Sequence, residues 1–394
     1  MSKSKIKKEN LILVIVIALA LGSRQLAMNI VTPFVAYYAQ TLLFGSLVLG
    51  GIALGIFNLT QGFCQVPFGN LYDKIGGKKV VLIGLGMLIC GLFLSFISNN
   101  AYVYVLSRAL QGSGAITSAA YSWLSKSVPP EERADSISLV GVVVGLASAI
   151  ALGGGPVLIK FISVKTLYLA STIIVSLVFL FVLFFVKSDV VENTKKEKIE
   201  GKGIYLKKIF KDKKFISYLI IAFSANYIGI ASFFLIPEYL KLSIGLDSMW
   251  KVLTPAILIS IVIMRVSTKF IKKGHIKRVA FLAGIGTIIA GLLLLTESRN
   301  LLLLLIESIL VFGAYTVVTA LIPTVINDFV DNKFRGLVNG IANGCSYLGS
   351  FLGATISGLL FSNHLIIALI IILVIGIMFT CTTLIMSNEK KVGV

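Results

Sequence analysis

Arg108 lies inside the apolar run Leu106-Ser107-Arg108-Ala109-Leu110-Gln111-Gly112-Ser113-Gly114-Ala115. A permanent charge at that depth is costly, and chains keep one mainly where it faces a bundle interior or a water-filled path. It marks a site. Among 17 Asp and Glu residues, only Glu307 is deep in an apolar run, and coupling to protons requires a group that can change its charge. Arg108 and Glu307 form the candidate proton-coupling pair, with the guanidinium holding the carboxylate ionised until a proton or substrate displaces it. A second reading stays open. The helical face of Glu307 continues through Val311, Ala314 and Val318, which would place the carboxyl near an outer mouth instead. Arg24, midway through the first apolar run, adds a second deep cation. With two arginines against one carboxylate the path is net positive and suits an organic anion.

Polar residues recur at helical spacing around these charges. Gln25 and Asn29 fall on one face beside Arg24; Asn58, Gln61 and Gln65 align in the next run; Gln111 shares a face with Arg108; Asn339 and Asn343 do the same late in the chain. One such side chain reads as hydrogen-bonding glue between helices, worth around 0.6 kcal/mol. Four stripes together read as the lining of a substrate cavity.

Loop and glycine chemistry adds a gate and a hinge. Gly69-Asn70-Leu71-Tyr72-Asp73-Lys74-Ile75-Gly76-Gly77-Lys78-Lys79 joins the second and third apolar runs. Asp73 and Arg133 are expected at one membrane level, where an ion pair would tie two spans together, and a nearby helix N-terminus would favour the carboxylate by roughly 0.3–1 kcal/mol. Gly69, Asp73, Gly76, Lys78, Lys79 and Arg133 are the candidate gating residues. Gly141, Gly145, Ala149 and Gly153, and later Gly336, Gly340 and Gly344, make small-residue stripes that allow close helix approach. Gly155-Pro156 predicts a bend or break, because proline lacks a backbone donor and clashes with the preceding turn.

These residues need helices to position them. The chain is 57% hydrophobic and 13% charged, with charges bunched between about twelve apolar runs of roughly 20 residues, the length that crosses a bilayer core. The first run, preceded by Lys3 to Lys8, is too long for a cleaved leader and reads as a span. Of 36 Lys and Arg, about 28 fall at the termini and in alternate loops and about 5 in the opposite loops, which explains the net charge of +19 by membrane topology without nucleic acid. One shift along the chain lays Arg108, Gly114, Ala115 and Thr117 on Glu307, Gly313, Ala314 and Thr316; a similar one lays Arg133 on Arg335. Pro33 and Pro237 are expected to close the first and seventh spans, and Glu238 to lie on the external surface. Two parallel six-span repeats are a common transporter plan, with the substrate site near the midplane between them. Four scattered cysteines and two loop histidines offer neither metal spacing nor a partnered nucleophile.

The run from Gly69 to Lys79 resembles the loop signature of the major facilitator superfamily, and Arg108 to Ala115 resembles the fourth-span signature of its drug:proton antiporter group. Arg24, Met28 and Pro33, followed by Leu59-Thr60-Gln61 and Pro67-Phe68-Gly69, is similar to the YajR-type branch. The likeness is dense over about the first 160 residues and thinner beyond. It implies alternating access and export of small amphipathic compounds against a proton gradient. Departures matter. Lys74 and Gly77 stand where the family usually carries arginine, Ile159-Lys160 replaces a glycine pair of the antiporter signature, and Thr319 stands where the related branch tends to place a glutamate.

The expected protein is therefore an all-α membrane protein with twelve transmembrane helices in two six-helix pseudo-symmetric bundles, residues 1–190 and 215–394, joined by a cytoplasmic linker, 191–214. The expected function is proton-coupled efflux of small amphipathic molecules, without enzymatic activity, cofactor or metal. Alternatives are a proton-coupled transporter of an organic anion or metabolite, and a non-transporting membrane sensor or scaffold. Expected partners are a small-molecule substrate, protons and the lipid bilayer, with no nucleic acid. The chain is expected to be a monomer in the cell membrane with both termini cytoplasmic.

Overall fold

A computed structural model describes residues 8–186, 202–296, 300–330 and 334–386. Residues 191–201 of the expected linker lie outside them. The chain divides into two compact units, Met1–Lys195 and Lys196–Val394.

In the first unit α1 (Lys8–Asn29) passes through a 3-10 turn, Thr32–Phe34, into α2 (Val35–Gln40), which together make span one. Then follow α3 (Leu47–Ile75), α4 (Gly77–Ile97), α5 (Ala101–Ser113), α6 (Thr117–Ser127), α7 (Pro130–Leu158) and α8 (Val164–Phe185). The second unit holds the short α9 (Lys202–Ile209), then α10 (Lys213–Ile244), α11 (Trp250–Lys272), α12 (Ile276–Leu295), α13 (Leu301–Phe329), α14 (Arg335–Leu360) and α15 (Leu365–Ile385). Among the described residues ten segments are long and apolar enough to cross a bilayer. The broken pair α5–α6 and the glycine- and asparagine-rich α14 complete twelve spans in two sets of six.

Local chemistry sets these boundaries, and it repeats between the units. Asn100 caps α5 by accepting from the Tyr102 amide, and Asn300 caps α13 by accepting from the Leu302 amide, so the helices carrying Arg108 and Glu307 begin alike. Gly76 and Gly274 close α3 and the turn after α11 with φ of +87° and +85°, a region open to glycine and strained for other residues. Just beyond each, a lysine crosses to the last helix of its own unit: Lys78 Nζ donates to the Leu183 carbonyl and Lys277 Nζ to the Leu384 carbonyl, both at 2.8 Å. The repeat is thus written in capping and tethering contacts as well as in the signature residues.

Core packing follows the same symmetry. The most apolar window of α10 is 83% buried and that of span one 61%, which makes them the central helices of their units. A Cβ on Gly155 of α7 would come within 2.6 Å of the Ile30 carbonyl, and one on Gly353 of α14 would fall against the Tyr227 carbonyl. The peripheral α8 leaves Leu177, Phe184 and Phe185 exposed, as a lipid-facing helix does.

Three expectations about helix shape are corrected. Pro33 opens the 3-10 turn within span one, and Pro237 lies inside α10, which continues to Ile244, so neither closes its span. Helix α7 runs unbroken through Pro156 to Leu158. Gly155 presents no Cβ to the proline ring, which relieves the clash that ordinarily drives the preceding residue out of the helical region. The interruption falls instead in span four, at Gly114–Ile116.

Candidate functional site

The break in span four and the residues around Arg108 form one buried polar assembly in the first unit. Gly114, with φ −71° and ψ 53°, ends α5, and a Cβ there would fall against the Gly84 carbonyl of α4. A helix end leaves carbonyls without intrahelical partners, and the Gly114 oxygen accepts from the Ile116 amide at 2.9 Å and from Arg24 Nε at 3.0 Å. A cation is also the favoured charge at a helix C-terminus. Arg24 is only 3% exposed, so the structure ties it to span four.

Arg108, at 1% exposure, is held by neutral groups. Its NH1 donates to Gln111 Oε1 at 2.6 Å, its Nε donates to the Ala53 carbonyl at 3.4 Å, and the guanidinium carbon stands 4.9 Å from the Phe57 ring centroid. Gln111 in turn donates from Nε2 to Ser95 Oγ at 2.8 Å and to the Gly91 carbonyl at 3.1 Å. Ser95 Oγ is 2.6 Å from Ser107 Oγ, and its carbonyl accepts from Tyr38. Tyr104 and Tyr168 share a hydrogen bond of 2.6 Å beneath them. Gly91 lacks a side chain where Gln111 enters: a Cβ would lie 2.7 Å from Gln111 Cγ. The network polarises Gln111 so that its oxygen faces the cation and its nitrogen faces neutral acceptors.

Gln25, Asn29, Asn58, Gln61 and Gln65 are half-buried in spans one and two. Asn58 donates to the Leu54 carbonyl one turn back, and Ser118 of α6 donates to the Gln65 carbonyl. In the second unit Asn339 donates to the Arg335 carbonyl and Asn343 is half-buried. Gln111 differs from all of these in being fully buried.

The candidate gating loop is assembled around Gly76. Asp73 pairs with Lys126 at 3.3 Å, while Arg133 Nε donates to the Val128 carbonyl, so the expected Asp73–Arg133 pair gives way to Asp73–Lys126. The reason is placement: Lys126 is in the last turn of α6, and its Nζ lies 4.9 Å from the ring centroid of Tyr72, the residue before Asp73. Gly77 packs against the Trp123 ring with no room for a Cβ, Lys78 makes the tether to α8, Lys79 is exposed, and Gly69 has Ser118 Oγ 3.7 Å from its Cβ position.

Glu307 lies in α13 at 2% exposure, and its Oε1 has no hydrogen-bond partner among the described residues. Below it, Thr316 of the same helix bonds to the Ser260 carbonyl of α11, joining the two helices. Glu238, expected on the external surface, is instead 2% exposed within α10 and bonded to Lys241 Nζ at 2.6 Å. Two residues not singled out from the sequence belong beside these. Glu132, 4% exposed, accepts from Asn10 at 3.0 Å and ties α7 to α1, and Arg265 is an exposed cation within α11. The "within an apolar run" signal that identified Glu307 misses Glu132, which stands in the polar sequence Glu131-Glu132-Arg133. The same signal does apply to Arg265.

Two six-helix units related by a repeat, with charged and amide side chains inside the spans, define a multi-pass membrane transporter. Residues 14–354 match the Major Facilitator Superfamily, and the chain belongs to that family. It is 26% identical to the uncharacterised transporter BU466 of Buchnera aphidicola, over 81% of this chain and 82% of that one. It is also 26% identical to the inner membrane transport protein YajR of Escherichia coli, over 81% of this chain and 70% of that one. Among solved structures, the nucleoside transporter NupG superposes with a TM-score of 0.75 at 12% identity, over 95% of this chain and 99% of that one, a likeness of fold.

Proposed function

We propose that this chain exports small amphipathic molecules across the cell membrane by alternating access, driven by protons that bind Glu307. The observation that carries the reading is the environment of that carboxyl. It is buried, and Oε1 lacks a hydrogen-bond donor among the described residues, whereas buried Glu238 has Lys241 and buried Glu132 has Asn10. An isolated ionised carboxylate out of water is far more costly than a neutral one. The buried arrangement therefore suits the protonated acid, and exposure to water in another conformation would release the proton. That difference between states is what couples a proton gradient to alternating access.

A second reading, transport of an organic anion, is supported by the charge count inside the spans. Arg24, Arg108 and Arg265 are cations there, against Glu307, whose Oε1 has no hydrogen-bond partner among the described residues. The two readings share the proton step and differ in the charge of the cargo.

The test uses inverted vesicles or proteoliposomes with an imposed pH gradient and a panel of cationic, neutral and anionic dyes and metabolites. Glu307→Gln is expected to abolish uphill accumulation while sparing downhill exchange, because glutamine imitates the protonated carboxyl. A Glu307→Gln transporter that concentrates cargo as well as wild type overturns the proton role. Accumulation of anions alone selects the second reading.

A further inference from the structure

A groove of about 460 Å³ in the second unit is walled by α11 and α12 and floored by α13. It begins at the turn between α11 and α12 and ends near Gly286. From His275 to that point the chain rises about 15 Å. Small residues hollow it out: Ala283 and Gly286 on α12, Gly313 and Ala314 on α13. A Cβ on Gly313 would already stand 3.1 Å from Ile263 Cδ1, so the space depends on the missing side chain. The rim is apolar and open, with Val266, Phe270 and Leu282 at 47%, 48% and 67% exposure.

One end of the groove is basic. His275 and Arg278 line it, both exposed, and Lys272 and Lys273 are exposed in the same turn. The sequence from Arg265 to Arg278 contains no Asp or Glu. Among the described residues no carboxylate pairs with Arg278.

We propose that this groove binds one anionic phospholipid of the surrounding bilayer, with an acyl chain along the α13 floor and the phosphate at Arg278 and His275. The two ends argue for one ligand with two chemistries. An apolar trough gains from burying methylene groups, and guanidinium recognises phosphate oxygens in a bidentate manner. Basic pockets between spans take acidic headgroups for this reason. A choline headgroup would set a cation among Lys272, Lys273 and Arg278. A soluble anion would leave the trough empty.

The test is native mass spectrometry of the full-length protein in detergent, titrated separately with dioleoylphosphatidylglycerol and dioleoylphosphatidylcholine. Wild type is expected to bind phosphatidylglycerol more tightly. Arg278→Gln combined with His275→Gln should weaken phosphatidylglycerol about fivefold to tenfold, near the value of one or two basic residues at a lipid surface, and leave phosphatidylcholine unchanged; Arg278→Lys should retain most of the preference. Ala283→Phe, which fills the floor, should weaken both lipids, and Leu282→Gln at the exposed rim serves the same purpose should Ala283→Phe fail to fold. Equal affinity for the two lipids overturns the proposal, as does a double variant that binds like wild type. Displacement of phosphatidylglycerol by glycerol phosphate at the same concentration would show an anion site without a lipid, and a lipid-free dimer would show a second copy of the chain as the occupant. Either overturns it.

Discussion

Arg108 is held inside the first unit by oriented dipoles: Gln111 faces it with an oxygen, and Ser95 and the Gly91 carbonyl hold Gln111 in that orientation. Removing the amide strands both the cation and the groups behind it. Gln111→Leu is therefore expected to cost about 1–3 kcal/mol, the range for a buried polar group left without its partner, read as a lower unfolding temperature of the purified protein. Gln25→Leu and Asn29→Leu, at half-buried positions, should leave that temperature near wild type and reduce transport. Equal temperatures for all three would show that Gln111 is no more structural than its neighbours. The sequence put Gln111 on the same face as Arg108. It could not distinguish a glutamine that lines water from one that bonds across to α4, since the residues that decide, Gly91 and Ser95, are an unremarkable glycine and serine inside an apolar run. Glu238 was misplaced for a related reason. Proximity to Pro237 suggested a helix end, and only the continuation of α10 shows the carboxyl folded inward against Lys241.

At the scale of helices, glycines divide into those that bring backbones together and those that face open space. Gly155 and Gly353 meet carbonyls of the central helices, whereas the stripes Gly141 and Gly145 and Gly336, Gly340 and Gly344 have no atom within 4 Å of their Cβ positions. Periodicity found the stripes but assigned them the wrong task for this conformation, because spacing along a helix does not say which face its neighbour covers. The consequence is testable. Gly353→Ala should force α14 away from α10 and cost about 1–3 kcal/mol through overpacking, seen as lower unfolding temperature and yield, while Gly340→Ala should fold as wild type does. A Gly353→Ala protein as stable as Gly340→Ala would mean that α14 shifts freely against its neighbour. The break in span four was also hidden. Gly112-Ser113-Gly114 lay inside a recognised signature, yet proline at 156 drew the expectation of a break. Pro156 does remove a backbone donor, but Gly155 carries no Cβ to meet its ring, and α7 continues to Leu158. What interrupts span four is visible only in three dimensions, where Gly114 abuts Gly84 and offers its carbonyl to Arg24.

At the scale of the whole molecule, the apolar runs, the repeat and the family signatures were legible because membrane spanning demands long apolar helices and leaves few alternatives. The charge asymmetry goes further and predicts an orientation. About 28 Lys and Arg at the termini and in alternate loops, against about 5 in the opposite loops, are expected to keep both termini and the Gly76 turn on the cytoplasmic side and the Asn100 and Asn300 caps on the outer side. Alkaline phosphatase, which is active only after export, should be active when fused after Asn99 and inactive after Gly76; a fluorescent protein at either terminus should glow inside the cell. Reversed signals would overturn the orientation, and with it the direction of proton flow. Helix α13 starts at the outer cap, and from Leu301 to Glu307 it rises about 9 Å. On that expected orientation the carboxyl would lie below the outer surface and far from the cytoplasmic end of a 29-residue helix. If Glu307 carries the proton as proposed, a proton from outside would reach it by the shorter route, and acidifying the outer face should raise uphill export while the same acidification of the cytoplasmic face should lower it. Export that responds equally to both faces would place the coupling group elsewhere in the spans.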